Sequence, residues 1–158
     1  MEKKQNKQKR IGNKGFSLVE LIVVIAIMAV LVGVLAPALI KNIEKSRESR
    51  DMTTLDKIYT SVQGAMADEK ANIAAPTAGS WIELTSASLT TTDFYKQVAG
   101  TLGGTTVPTF TSKNAKATGV KVYFMITTDE KVAVMLSTDG TVGNVIKSPI
   151  SNGQFIIE

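Results

Sequence analysis

Apolar and polar positions divide this chain into regions of different period. From Leu21 to Ile40 run 20 residues without a charge, and only Gly33 and Pro37 among them fall outside the apolar set. At about 1.5 Å per residue, a helix of that length spans about 30 Å, the thickness of a bilayer's hydrocarbon core. Ile22, Val23, Val24, Ile25, Ile27, Val30 and Val32 are β-branched and favour strand in water. Strands rarely exceed about ten residues, however, and a lone segment in lipid must satisfy its own backbone, which a helix does. A second pattern follows. Leu55, Ile58, Tyr59, Val62, Ala65 and Met66 recur on a 3.6-residue period. Before them lies a polar band, Lys41 to Asp51, of mixed charge, in which Arg47 stands four residues ahead of Asp51 as an i,i+4 pair. Neither Gly nor Pro interrupts the chain between Asn42 and Gln63. The pattern predicts one long helix from about Phe16 to about Ala71, apolar all round in its first half and amphipathic in its second.

The remainder reads as a small head covering the amphipathic face. Asn72 to Ser80 is a chain reversal, and Trp81 to Leu84 a short extended or irregular piece. Thr92-Asp93 opens a short helix through Leu102 that Gly103-Gly104 ends. Thr105 to Thr118 is a Thr-, Ser- and Gly-rich loop with one weak strand over Val107 to Thr111. Val120 to Ile126 and Val132 to Leu136 are β-rich runs joined by the tight-turn sequence Thr128-Asp129-Glu130-Lys131. Asp139-Gly140 supplies a further turn, Val142 to Ile146 a third strand, and Phe155-Ile156-Ile157 a closing strand after Asn152-Gly153. The expected fold is α+β, a long N-terminal helix packed on a small antiparallel sheet. Its segments are 1–15, a basic leader; 16–40, a transmembrane helix; 41–71, the amphipathic continuation; 72–117, a connecting region with a short helix; and 118–158, the sheet.

Charge changes the picture only at one end. The net charge of +4 suggests an acidic partner, yet residues 1–15 hold six Lys/Arg against Glu2 alone and the rest of the chain is −1. No direct nucleic-acid site is therefore indicated. The basic end fixes orientation instead: the positive-inside bias holds it in the cytoplasm, with the bulk of the chain on the outer side. The sequence contains no Cys and no His. That removes disulfides, Cys/His zinc sites, Cys nucleophiles and Ser-His-Asp triads together. No catalytic residue, metal ligand or cofactor is expected, and the protein reads as a non-enzyme. Asp129-Glu130 and Asp139-Gly140 read as turns, since no spaced set of calcium ligands accompanies them. Trp81 is assigned to the core ahead of a surface adhesive role; Tyr95 has the same two readings.

A secretory signal peptide shares the basic start, the apolar stretch and a small-x-small site at Ala36-Pro37-Ala38. Against it stand the length of the run, the helical pattern continuing past Ala38, and Glu20, a carboxylate with no use in a disposable segment. The residues Lys14-Gly15-Phe16-Ser17-Leu18-Val19-Glu20-Leu21 onward closely resemble the N-terminal signature of type IV pilins and related pseudopilins. In that family a basic leader ends in Gly, the next residue is commonly Phe, and a Glu falls five residues into the mature chain; Pro37 matches the family's proline about one membrane span into the mature chain, and Gly33 lies one turn before it.

The resemblance implies a role for each residue. A membrane-embedded prepilin peptidase would cut between Gly15 and Phe16, and the new amine of Phe16 would be N-methylated. Glu20, costly in apolar surroundings by a few kcal/mol if unpaired, would pair with the amine of a neighbouring subunit and set the register of assembly. Pro37 and Gly33 would let the helix loosen on packing. The implied protein is a structural subunit of a type IV pilus, supporting adhesion, motility or DNA uptake. It would be held in the plasma membrane as a single-pass prepilin and then polymerised at the cell surface. Its partners would be identical subunits, the peptidase, an assembly ATPase, a membrane platform protein and, before assembly, lipid. The alternative is a pseudopilin of a type II secretion or competence system. The absence of Cys departs from pilins that close their C-terminal region with a disulfide.

Overall fold

The structure, a computed structural model, describes residues 15–141 and the strand at Phe155–Ile156. The chain divides between Ile40 and Lys41 into two compact units. Helix α1, Leu18–Ala67, begins in the first and continues into the second. The helix expected to reach Ala71 stops four residues earlier, because Asp68 leaves the helical conformation (φ −84°, ψ 121°). There its carboxylate accepts the Ala71 N–H and caps a separate five-residue helix, α2, Glu69–Ile73.

In the second unit follow β1 (Ile82–Glu83), a 3-10 turn at Ser88–Thr90, α3 (Asp93–Leu102), β2 (Lys121–Ile126), β3 (Val132–Ser137) and β4 (Phe155–Ile156). The strands form an antiparallel sheet in the order β1-β2-β3-β4. Within the piece at 81–84, Ile82 and Glu83 are extended and belong to the sheet, pairing with Phe124 and Tyr123, so the sheet is not confined to 118–158. The weak strand expected over Val107 to Thr111 is absent; those residues are irregular. The third strand expected at Val142 to Ile146, and Ile157, lie outside the described residues.

Local chemistry explains the connections. Helix α3 ends on Gly103 in the left-handed region (φ 85°), and the N–H groups of Gly103 and Gly104 both donate to the Ala99 carbonyl, each at 3.0 Å. Thr92 stands at the start of α3 but makes no side-chain cap. Between β2 and β3 the turn closes through Lys131, whose carbonyl accepts the Thr127 N–H at 2.8 Å. After β3, Asp139 Oδ1 accepts the N–H of Thr141 at 2.9 Å and its hydroxyl at 2.7 Å, which commits that carboxylate to a turn.

The core lies between α1, α3 and one face of the sheet. Leu55, Ile58, Tyr59, Val62 and Ala65 are buried on α1 against Phe94 and Val98 of α3 and the alternating Val122, Phe124, Ile126, Val132, Val134 and Leu136. Phe94 stacks on Phe124 at 6.2 Å, and Tyr95 meets both rings edge-on. Ser61 interrupts the apolar stripe without cost, because its hydroxyl donates to the Lys57 carbonyl at 2.7 Å. The opposite face of the sheet carries Tyr123 and Met135, with half-buried Trp81 packed on them. Trp81 is therefore a packing residue.

The polar band departs from expectation. Asp51 is not an exposed partner of Arg47. It is 2% exposed and accepts from the Thr111 N–H (2.8 Å), the Thr111 hydroxyl (3.1 Å) and the Ser112 N–H (2.7 Å). Arg47 pairs instead with Glu44, 3.4 Å away, and Glu44's other oxygen accepts the Lys113 N–H. Glu44 and Asp51 are seven residues apart, two helical turns, and so prolong the stripe that Leu55, Ile58 and Val62 continue. Three successive backbone N–H groups of an irregular loop are thereby satisfied by carboxylates of α1.

Candidate functional site

Gly15, Phe16 and Ser17 are exposed and non-helical, and α1 starts at Leu18. Phe16 is 93% exposed. The first turn closes by a reciprocal pair: the Ser17 N–H donates to Glu20 Oε2 at 2.9 Å, and the Val19 N–H donates to Ser17 Oγ at 3.3 Å. This is a capping box, Ser-x-x-Glu, in which each side chain satisfies a backbone donor that the helix leaves open. A carboxylate in the first turn also meets the positive end of the helix dipole. Glu20 thus has a partner within its own chain. Ser17 was legible in the sequence as the start of an S-x-x-E box, a signal that the sequence reading did not use.

From Leu18 to Ile40 no residue of the helix is buried. The large apolar side chains from Leu18 to Ile40 are 46–72% exposed. The segment has a mean hydropathy of 3.1 over its most apolar window, and by length and composition is able to cross a membrane. Such a surface needs an apolar environment, and lipid or other helices of the same kind meet that need.

Pro37 sits within the unbroken helical assignment. It has no N–H, and the carbonyl it fails to serve, four residues back, belongs to Gly33. A Cβ at Gly33 would meet nothing within 4 Å, so packing within the subunit does not demand glycine there. The pair therefore concentrates two weaknesses, a missing hydrogen bond and a residue of low helix propensity, in one turn.

The structure places Gly15, Phe16 and Glu20 within the first turn and its approach, and Gly33 and Pro37 four turns on in the same apolar stretch. The described residues contain no grouping of three or more acidic side chains able to hold a metal ion. No curated protein and no solved structure is significantly similar to the chain. Residues 10–36 match the prokaryotic N-terminal methylation motif. That motif is the hallmark of type IV pilin and pseudopilin prepilins, and over residues 10–36 the chain is similar to them.

Proposed function

We propose that this protein is the structural subunit of a type IV pilus, cleaved between Gly15 and Phe16 and polymerised through the helix that begins at Leu18. One observation carries the reading: the methylation motif over residues 10–36 coincides with an exposed, non-helical junction followed at once by an exposed, uncharged helix. Cleavage at that junction removes the basic leader and its preference for the cytoplasmic side. The new cationic amine of Phe16 then lies one turn from Glu20, and the amine of a neighbouring subunit has a carboxylate to meet. In low dielectric such a pairing is strongly favoured over leaving either charge alone. Lipid covers the apolar helix before assembly, and copies of itself cover it afterwards. Gly33 and Pro37 supply a turn that can lengthen on packing. The role is structural; the peptidase, an assembly ATPase and a membrane platform protein act on the subunit.

The test is the intact mass and N-terminal sequence of this polypeptide in material sheared from the cell surface. The expected chain starts at Phe16 and is heavier by one methyl group. A surface chain beginning at Pro37 or beyond, with the apolar helix discarded, overturns the proposal. Correctly processed chain confined to the membrane fraction, with only traces in the sheared material, points to a pseudopilus instead.

A further inference from the structure

The charges beside the apolar stretch are sorted by the fold. Lys41, Lys45, Arg47 and Arg50 on α1, with Lys113 and Lys116 on the loop, are all exposed. The acidic side chains in the same stretch of helix are Glu44, Glu48 and Asp51. Asp51 is buried under the loop, and Glu44 accepts the Lys113 N–H on one oxygen and faces Arg47 on the other. Six cations thus stand against three anions, and two of the anions, Glu44 and Asp51, are turned toward the loop. Among the described residues, Lys41, Lys45 and Lys113 form no ion pair. The Glu44 contact brings the Lys113 backbone onto the turn that Lys41 and Lys45 flank, so helix and loop contribute to one cluster.

Its place is set by the chain. Lys41 is the first residue after the uncharged run. Lys41 and Lys45 are separated by about 6 Å of helical rise, close to the thickness of one headgroup layer, about 5–7 Å. Long cationic side chains reach such a layer while their stems stay against apolar surface.

We propose that Lys41, Lys45 and Lys113 form a basic collar that binds anionic phospholipid headgroups at the outer face of the membrane while the subunit awaits assembly. Leaving the membrane then requires release of those headgroups, so the collar retains the subunit until packing replaces lipid. The inference rests on the membrane-anchored reading above and adds the class of lipid that the subunit holds.

The experiment uses the full chain reconstituted in phosphatidylcholine bilayers carrying a trace of spin-labelled phosphatidylglycerol or spin-labelled phosphatidylcholine. The motionally restricted fraction of each label reports which lipid the protein holds. The parent is expected to prefer phosphatidylglycerol. The K41Q/K45Q/K113Q variant is expected to lose at least about fivefold of that preference, since each cation near an anionic surface contributes roughly that factor. High salt should remove the difference. The leader's cations are the same in both proteins and cancel from the comparison. The K41R/K45R/K113R variant, which keeps charge, should retain the preference. Equal preference in parent and Gln variant overturns the collar. So does a Gln variant that assembles poorly with unchanged lipid preference, which would assign these cations to a second copy of the chain. A parent that sediments apart from the bilayer refutes the membrane reading itself, a result separate from failure of the collar.

Discussion

Two carboxylates on α1 meet different donors, and the donors decide what each can do. Glu20, at the helix start, holds the Ser17 N–H in an exposed turn, a contact that another donor can displace. Asp51 is enclosed. Burial pushes its carboxyl up, but the hydrogen bonds from Ser112 and Thr111 outweigh burial and hold it below the ordinary carboxylate value. The sign follows from linkage: a group depressed in the folded state stabilises fully above its unfolded pKa, about 3.9, and that stability is lost as pH falls through the lower folded value. Asp51→Ala should cost about 2–4 kcal/mol in a urea titration near neutral pH. The difference between parent and variant should shrink below about pH 4. A difference that persisted unchanged into acid would show that the charge contributes nothing. The environment of Asp51 was not legible from the sequence. Asp51 carries the same local signature as any solvated helix carboxylate, and its donors come from a loop 60 residues away. The motif that contains Gly15, Phe16 and Glu20 was legible because its signature is local.

At the scale of elements, the apolar periodicity gave the core face of α1 correctly and missed where the helix stops. Leu55, Ile58, Val62 and Ala65 are all buried at 2% exposure or less, as a 3.6-residue stripe requires. The break at Asp68 escaped notice because Asp at an N-cap and Asp within a helix look alike without the Ala71 N–H in view. Helix α3 and the β2–β3 hairpin follow from turn residues and β-rich runs in the same neighbourhood. The two-residue strand β1 is defined only by its partner β2, at long range, so short-range pattern could not identify it as a strand. Val62, with no exposed surface, faces α3 and the sheet. Val62→Asp should cost at least about 4 kcal/mol, since a charge enters an apolar core without a partner. In detergent-solubilised chain the expected outcome is loss of the near-ultraviolet circular dichroism of the Tyr, Trp and Phe side chains. A variant that kept this signal and its melting temperature would refute the packing of α1 against the sheet.

For the whole molecule, the division at Ile40 and Lys41 separates two kinds of stability. Among the described residues, every member of the buried core lies after Lys41, and those up to Ile40 contribute none. A chain shortened to residues 41–158 should therefore remain monomeric in water and unfold in one cooperative transition. Its calorimetric and van't Hoff enthalpies should agree. The full chain should need detergent or lipid to stay dispersed, because the apolar side chains from Leu18 to Ile40 are exposed. Aggregation of the shortened chain would show that the apolar helix also serves the fold of the rest.

The loop seated on Glu44 and Asp51 carries a consequence for the order of events in folding. Its contacts join residues 60 to 69 positions apart, and none exists until two turns of α1 already present both carboxylates on one side. Closing a chain segment of that length has an entropic cost that no local contact offsets beforehand. The seat should therefore form after the barrier has been crossed. In stopped-flow experiments on residues 41–158, Asp51→Ala should raise the unfolding rate and leave the refolding rate nearly untouched. The carboxylate would then act as a latch, setting how long the finished head persists and not how quickly it is made.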